Sequence, residues 1–310
     1  MVVVAVFGGT GNVGKTIVEA LQADGTHQVI AFGRKVPTGD LSVPTFAVDY
    51  NDVDQMSNSL LEHKVHTVIS TIAMYDPVAA QSERNLISAA AKSPAVKRFV
   101  QSNWGDKTPE DESLRAGPNF LRDQSLEVLR QTNLEWTQFH NGLFLDYYGM
   151  PHVQSYLSPL AIFVDIAHRS AAIPGSTGDE LISFTYTKDL AKFVVAALTL
   201  DKWDEAYHVY SDASSIKQIV KLAEEATGQS FTVTYDSVEK LRRGEVTELP
   251  SHPGIYPYVP KEILAALLSK FGLWAASGIM HYQLQGSLNE RFPEIETTSV
   301  KEIVGAWKGH

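Results

Sequence analysis

Over residues 1–140 the chain alternates short β-branched and aromatic runs with longer stretches whose apolar residues recur at helical spacing. Residues 2–7, 28–32, 45–48, 66–71, 98–102 and 136–140 are the predicted strands. Each is separated from the next by enough chain for a helix or a crossover, the order expected of a parallel sheet covered by helices. Because such crossovers are right-handed, six strands in this order predict an α/β fold built on a Rossmann-type doubly wound parallel sheet.

After Gly142 the rhythm changes. Residues 147–170 have the length of a helix but contain Pro151 and Pro159, and Pro174-Gly175 marks a turn before a strand at 181–186. Residues 187–200 read as an amphipathic helix with Asp189 in its first turn, where the helix dipole favours a carboxylate. A strand at 207–210, a helix at 215–227 and a strand at 231–235 follow, and then a tail rich in proline and aromatic residues that includes Leu249-Pro250-Ser251-His252-Pro253. The expected organisation is a dinucleotide-binding Rossmann domain at 1–150, to which segments near 180–212 return. A smaller α+β C-terminal lobe, mainly 151–310, is expected to shape a substrate pocket.

The chemistry is concentrated in one loop. Phe7-Gly8-Gly9-Thr10-Gly11-Asn12-Val13-Gly14-Lys15-Thr16 follows a buried strand and opens a helix, so its amides face a pyrophosphate at a helix N-terminus. Gly8, Gly11 and Gly14 carry the G-x-x-G-x-x-G spacing, with Thr10 and Asn12 able to add side-chain hydrogen bonds and Val13 between them. Gly9 to Thr16 also matches the phosphate-loop pattern G-x-x-x-x-G-K-[ST], which would turn Lys15 and Thr16 towards a triphosphate and magnesium. That chemistry needs a carboxylate closing another buried strand, for which Asp49 and Asp165 are the nearest candidates, and no catalytic glutamine or arginine is evident.

The second predicted strand decides between the two. A dinucleotide site places its ribose discriminator there, roughly 20 residues past the loop, and Phe32-Gly33-Arg34-Lys35 stands at that point. Arg34 and Lys35 supply positive charge where a 2′-phosphate would sit, and no acidic residue is present for a bare ribose diol, so the expected cofactor is NADP(H). Asp49-Tyr50 closes the third strand at an adenine edge, and Thr71-Ile72 closes the fourth along the dinucleotide path.

Composition narrows the partners. A formal charge of −10 gives no basic face for nucleic acid or anionic membrane, which leaves a small-molecule substrate. The absence of cysteine excludes disulfides, zinc-thiolate sites and cysteine nucleophiles, and the ten histidines show no metal-ligand spacing. No G-x-S-x-G elbow is present for a serine hydrolase. Nothing in the sequence reads as a secretory signal, and the first apolar run is far shorter than the about 20 residues a bilayer requires, so a cytoplasmic protein is expected.

With these residues in view, the chain resembles the NmrA-like and isoflavone-reductase-like branch of the atypical short-chain dehydrogenases, fungal members above all, over nearly its whole length. The resemblance rests on the glycine loop and Arg34, on Lys97-Arg98-Phe99-Val100-Gln101-Ser102-Asn103-Trp104-Gly105, and on Asn141-Gly142-Leu143-Phe144-Leu145-Asp146-Tyr147-Tyr148. It implies NADPH-dependent reduction of small, often aromatic, metabolites, with Ser102 and Asn103 bordering the nicotinamide and Asn141 following the strand on the far side of the pocket. It also implies a lysine on the helix before the sixth strand, and there the sequence has Arg122. Arginine stays protonated, so it can bind a hydroxyl or a carbonyl but is a poor proton donor. No Tyr-x-x-x-Lys pair occurs at the expected helix; Arg122, Tyr147 and His140 are the catalytic candidates, with Tyr75, Lys107 and Tyr148 behind them.

The expected activity is hydride transfer from NADPH to an aromatic or polyketide-like carbonyl or enone. Two alternatives stand beside it: a non-catalytic NAD(P) sensor that binds a protein partner, and a redox-neutral isomerase or cyclase on the same fold.

Overall fold

The computed structural model describes residues 1–38 and 42–310. They form two compact units, each discontinuous in sequence: Met1–Trp104, Gly117–His140 and Ala191–His208 in the first, and Gly105–Ala116, Asn141–Leu190 and Val209–His310 in the second.

The first unit is built on β1 (Val3–Phe7), β2 (Gln28–Gly33), β3 (Thr45–Ala47), β4 (Val65–Ser70), β5 (Arg98–Val100) and β6 (Glu135–His140). A further strand, Ala206–His208, pairs parallel with β6 and makes the sheet seven-stranded, from this strand through β6, β5, β4, β1 and β2 to β3. All pairs are parallel, and the order reverses beside β1, where open α/β sheets place their ligand crevice. The connecting helices are α1 (Asn12–Asp24), α2 (Val53–Glu62), α3 (Pro77–Lys92) and α4 (Gly117–Arg130).

Local chemistry starts these helices where they start. Asp52 caps α2 by accepting from the Gln55 amide, and Asp76 caps α3 by accepting from the Val78 and Ala79 amides, with Pro77 preset for the first turn. Phe7 and Phe32, in register on β1 and β2, stack with ring centroids 4.6 Å apart at the centre of a core that also takes in Met56, Leu60, Leu86 and Phe99.

The second unit contains two three-stranded sheets. In one, Leu181–Thr185 runs antiparallel to Asp212–Ser215 and parallel to Leu143–Phe144. In the other, Ser170–Pro174 lies between Thr232–Asp236, parallel, and Val164–Asp165, antiparallel. The helices Ile216–Thr227 and Lys261–Ser277 complete a core that includes Phe184, Ile219, Leu268 and Trp274.

Three expectations change. Residues 147–170 form no long helix: the chain makes a 3-10 turn at Leu145–Tyr148, then irregular structure, then the strand Val164–Asp165. Pro151 and Pro159 interrupt helical bonding, Phe163 takes a left-handed φ of 64°, and the Tyr148 hydroxyl donates to the Ile162 carbonyl at 2.9 Å. The tail contains the 17-residue helix Lys261–Ser277, whose nearly continuous apolar run hid its period. Of residues 1–150 the first unit takes 1–104 and 117–140, with Leu143–Phe144 pairing with Leu181–Thr185 instead of extending the large sheet, and of residues 180–212 only 191–208 join it.

Asp189 also does more than face a dipole. It is buried, and its Oδ2 accepts from Ser211 Oγ at 2.8 Å and from the Thr298 amide at 2.7 Å. Among the described residues no helix is long and apolar enough to cross a membrane.

Candidate dinucleotide site

The glycine loop turns sharply out of β1. Gly8 sits at φ 83°, its amide donating to the Phe32 carbonyl at 2.8 Å. A Cβ on Gly8 would fall 2.6 Å from Thr71 Oγ1, and one on Gly14 would fall 2.4 Å from the Gly8 carbonyl oxygen and 2.5 Å from Thr71 Oγ1. These two glycines are therefore required by the chain's own packing: they let α1 and the loop close onto Thr71, which is itself tied to the Phe7 carbonyl through its amide and its hydroxyl, both at 2.8 Å.

Gly11 is different. It is exposed and extended, at φ −146° and ψ 164°, and a Cβ there would meet no atom within 4 Å. It is also the N-cap of α1, yet it offers no side-chain cap, and no acidic residue occupies the first turn. A helix start with open amides and no anion of its own suits a pyrophosphate, and the bare glycine lets one approach. Asn12 beside it has a left-handed φ of 44° and is exposed, while Val13 is buried. Thr16 is buried at 5% exposure, which removes its hydroxyl from the magnesium role that a phosphate-loop reading assigns it.

The other residues expected to hold cofactor in this unit stand at the carboxyl ends of successive strands. Arg34 and Lys35 are exposed immediately after β2, and the position of a Cβ on Gly33 lies 3.8 Å from Thr10 Oγ1, so Thr10 borders the same end. Beyond β3, Asp49 is exposed, and its Oδ1 accepts from the amide and the side chain of Asn51. Tyr50 is buried, and burial holds its phenol well above the usual range. Thr71 and Ile72 follow β4, half-buried.

Past β5, Ser102 Oγ donates to the Ile72 carbonyl at 2.7 Å, and Asn103 Nδ2 donates to Gln138 Oε1 at 2.6 Å. Asn103 Oδ1 is buried without a hydrogen-bond partner, an acceptor that a bound group would satisfy.

The catalytic candidates are divided between the units. Arg122 lies half-buried on α4, its carbonyl accepting from Gln101 Nε2 at 2.9 Å. His140, at the end of β6, is 3% exposed, with its ring centroid 5.4 Å from that of His208 on the neighbouring strand. Tyr147 belongs to the second unit, half-buried and edge-on to Phe144. Asn141 is also there, fully buried, its amide donating to the Gly105 carbonyl at 2.9 Å and its Oδ1 without a partner. Tyr148 is withdrawn from proton transfer: its hydroxyl is committed to Ile162, and burial raises its pKa far above the usual phenol range.

Sequence reasoning missed Glu83. It lies at 0% exposure on α3 and touches the ends of both β4 and β5. The signal was present: a carboxylate among Ala80, Leu86, Ile87 and Ala90, on the apolar side of an amphipathic helix.

Sheet order, crevice position and glycine loop together define a Rossmann-type α/β protein. The chain belongs to the NmrA-like family, whose model matches residues 2–273. It is 33% identical to oxidoreductase swnN of Metarhizium robertsii, over 98% of this chain and 96% of that protein. It is 36% identical to oxidoreductase BOA1 of Botryotinia fuckeliana, over 95% and 96%. The solved binary complex of leucoanthocyanidin reductase and NADPH from Vitis vinifera superposes with a TM-score of 0.72 at 18% identity, covering 98% of this chain and 99% of that one.

Proposed function

We propose that this protein is an NADPH-dependent oxidoreductase that reduces a small aromatic or polyketide-like carbonyl or enone. The observation that carries the reading is the start of α1: Gly11 caps it without a side-chain hydrogen bond and leaves open space where a Cβ would stand, so a ligand phosphate can reach the uncapped helix amides. Arg34 and Lys35 give that ligand its 2′-phosphate partner. The oxidoreductase names of two full-length relatives and the NADPH held by a structural neighbour point the same way.

When bound, the nicotinamide supplies a hydride. The chain's own residues do the rest. The loop from Gly8 to Gly14 binds the pyrophosphate, and Thr10, Asn12 and Val13 line it. Asp49 and Tyr50 border the adenine, while Thr71, Ile72, Ser102 and Asn103 lead towards the nicotinamide, with Asn141 as a further contact. Arg122, permanently charged, polarises the substrate carbonyl or holds a ribose hydroxyl without giving up its proton. Tyr147 and His140 are the side chains assigned to protonate the resulting oxyanion, Tyr148 being committed elsewhere. The second unit shapes the substrate pocket.

One observation favours a second reading. Arginine at position 122 and the absence of Tyr-x-x-x-Lys suit a sensor that binds NADP(H) and a protein partner but turns nothing over. Calorimetric titration with NADPH, NADP⁺ and NADH, followed by an absorbance screen for NADPH oxidation against aromatic ketones, aldehydes and enones, separates the readings. Binding with turnover establishes the reductase, binding without turnover favours the sensor or a redox-neutral enzyme that keeps the dinucleotide, and absence of binding overturns the reductase and the sensor alike.

A further inference from the structure

Glu83 joins two parallel strands at their carboxyl ends. Its Oε2 accepts from Ser70 Oγ, at the last residue of β4, and its Oε1 accepts from the Ser102 amide, just past β5, at 3.0 Å. From there the contacts run to the glycine loop. Trp104 Nε1 donates to the Ser70 carbonyl at 3.0 Å, and Ser102 Oγ donates to Ile72. Between Ser70 and Ile72 stands Thr71, whose hydroxyl occupies the space that a Cβ on either Gly8 or Gly14 would need. All of these residues lie in the first unit.

Among the described residues no cation pairs with this carboxyl. Burial opposes its ionisation more than its two hydrogen bonds favour it, and its pKa is pushed up to about 7. The titratable group facing it is Tyr50, itself held neutral by burial. The charged side chains of α2 (Asp54, Glu62), of α4 (Arg122, Asp123, Glu127, Arg130) and of α3 itself (Arg84, Lys92) do not enter into the shift. A neutral carboxyl keeps both contacts, with its carbonyl oxygen accepting from the Ser102 amide and its hydroxyl donating to Ser70 Oγ.

We propose that Glu83 is a positioning residue for the dinucleotide, its carboxyl fixing the 70–72 segment and, through Thr71, the glycine loop. The inference rests on the dinucleotide reading above. Phosphate charge arriving at the strand ends disfavours an ionised carboxyl beneath them, so binding and protonation of Glu83 support each other by linkage.

The test uses the full chain and NADH, which has no 2′-phosphate to titrate. Dissociation constants are measured from about pH 6 to 8.5, spanning the elevated carboxyl, for the wild type, Glu83→Gln and Glu83→Ala. Wild-type affinity is expected to fall about tenfold as pH rises from about 6 to 8. Glu83→Gln accepts from Ser102 and donates to Ser70 as the neutral acid does. It should therefore bind at the wild type's low-pH affinity throughout, with a flat profile. Glu83→Ala should bind weakly at every pH. A wild type that binds with a flat profile, or a Glu83→Gln that follows the wild-type slope, overturns the inference alone. A wild type that binds neither NADH nor NADPH at any pH overturns the reading beneath it as well.

Discussion

The two units organise their irregular chain by different means. In the first, the loops at the strand ends close onto one another through glycines and hydroxyls: Gly8 and Gly14 against Thr71, Ser102 against Ile72, and a buried carboxyl, Glu83, beneath them. In the second, buried aspartates gather loop segments far apart in sequence. Asp146 accepts from Ser155 Oγ and from the amide and hydroxyl of Thr187. Asp165 takes the Ser251 amide and contacts His168, Asp189 takes Ser211 and Thr298, and Asp236 takes Lys240 and the amide and hydroxyl of Thr247. A chain with little regular structure still has to satisfy its buried amides, and a carboxylate accepts several at once. The glycine contacts leave the first unit's helix start open, whereas the aspartates of the second unit occupy the donors they gather.

That difference predicts where substitution costs most. Asp236→Ala should be the most severe, because it removes a buried carboxylate that accepts from the amide and hydroxyl of Thr247 and from the half-buried Lys240 ammonium: a loss of about 3–5 kcal/mol is expected for several charge-assisted hydrogen bonds lost together. Urea unfolding checks it, and a loss near zero would show that the aspartates are not what holds these loops. Gly14→Ala comes next. Alanine is the better helix former, yet its Cβ would meet the backbone oxygen of Gly8, which has no room to withdraw, so destabilisation of about 3 kcal/mol is expected by the same measurement. A stabilised Gly14→Ala would refute the close packing of loop on helix.

The same contrast explains what could be read from the sequence. The first unit was legible because its signals are local: β-branched runs for strands and glycines at fixed spacing for the loop. Its seventh strand, Ala206–His208, arrives from far along the chain, and β6 is continued only by long-range pairing. In the second unit the organising residues carry no spacing rule. Nothing near Asp236 announces Thr247, and nothing near Asp189 announces Thr298. Residues 147–170 have helical length, but Tyr148 and Ile162 bond across a non-helical path that only the folded unit defines. Glu83 lies between these cases, visible as a misplaced charge on an apolar helix face but without meaning until Ser70 and Ser102 are brought to it.

Within the first unit, Arg34→Ala sharpens the assignment of cofactor. Arg34 is exposed after β2, so its removal should leave stability almost unchanged. If it reads the 2′-phosphate, NADPH binding weakens by about 1.5–3 kcal/mol, the worth of a charge-assisted hydrogen bond, while NADH binding is spared. Calorimetry with the two cofactors decides it, and an equal loss for both would remove Arg34 from the site.

Gly11→Ala has the smallest expected effect on the fold and the sharpest consequence for function. Its added Cβ meets open space, and the extended backbone at this position accepts any residue. Alanine is a somewhat poorer N-cap than glycine, so a stability change within about 1 kcal/mol is expected. Binding is another matter, because the methyl group occupies the surface on which a pyrophosphate must press to reach the amides of α1. Dinucleotide affinity should fall at least about tenfold, some 1.4 kcal/mol, in a protein that melts almost as the wild type does. Gly14→Ala would lose binding and stability together, as a lesion of packing does. Loss of binding alone at Gly11 would mean that the glycine serves a ligand and not the fold, whereas undiminished binding would leave the open helix start without an occupant.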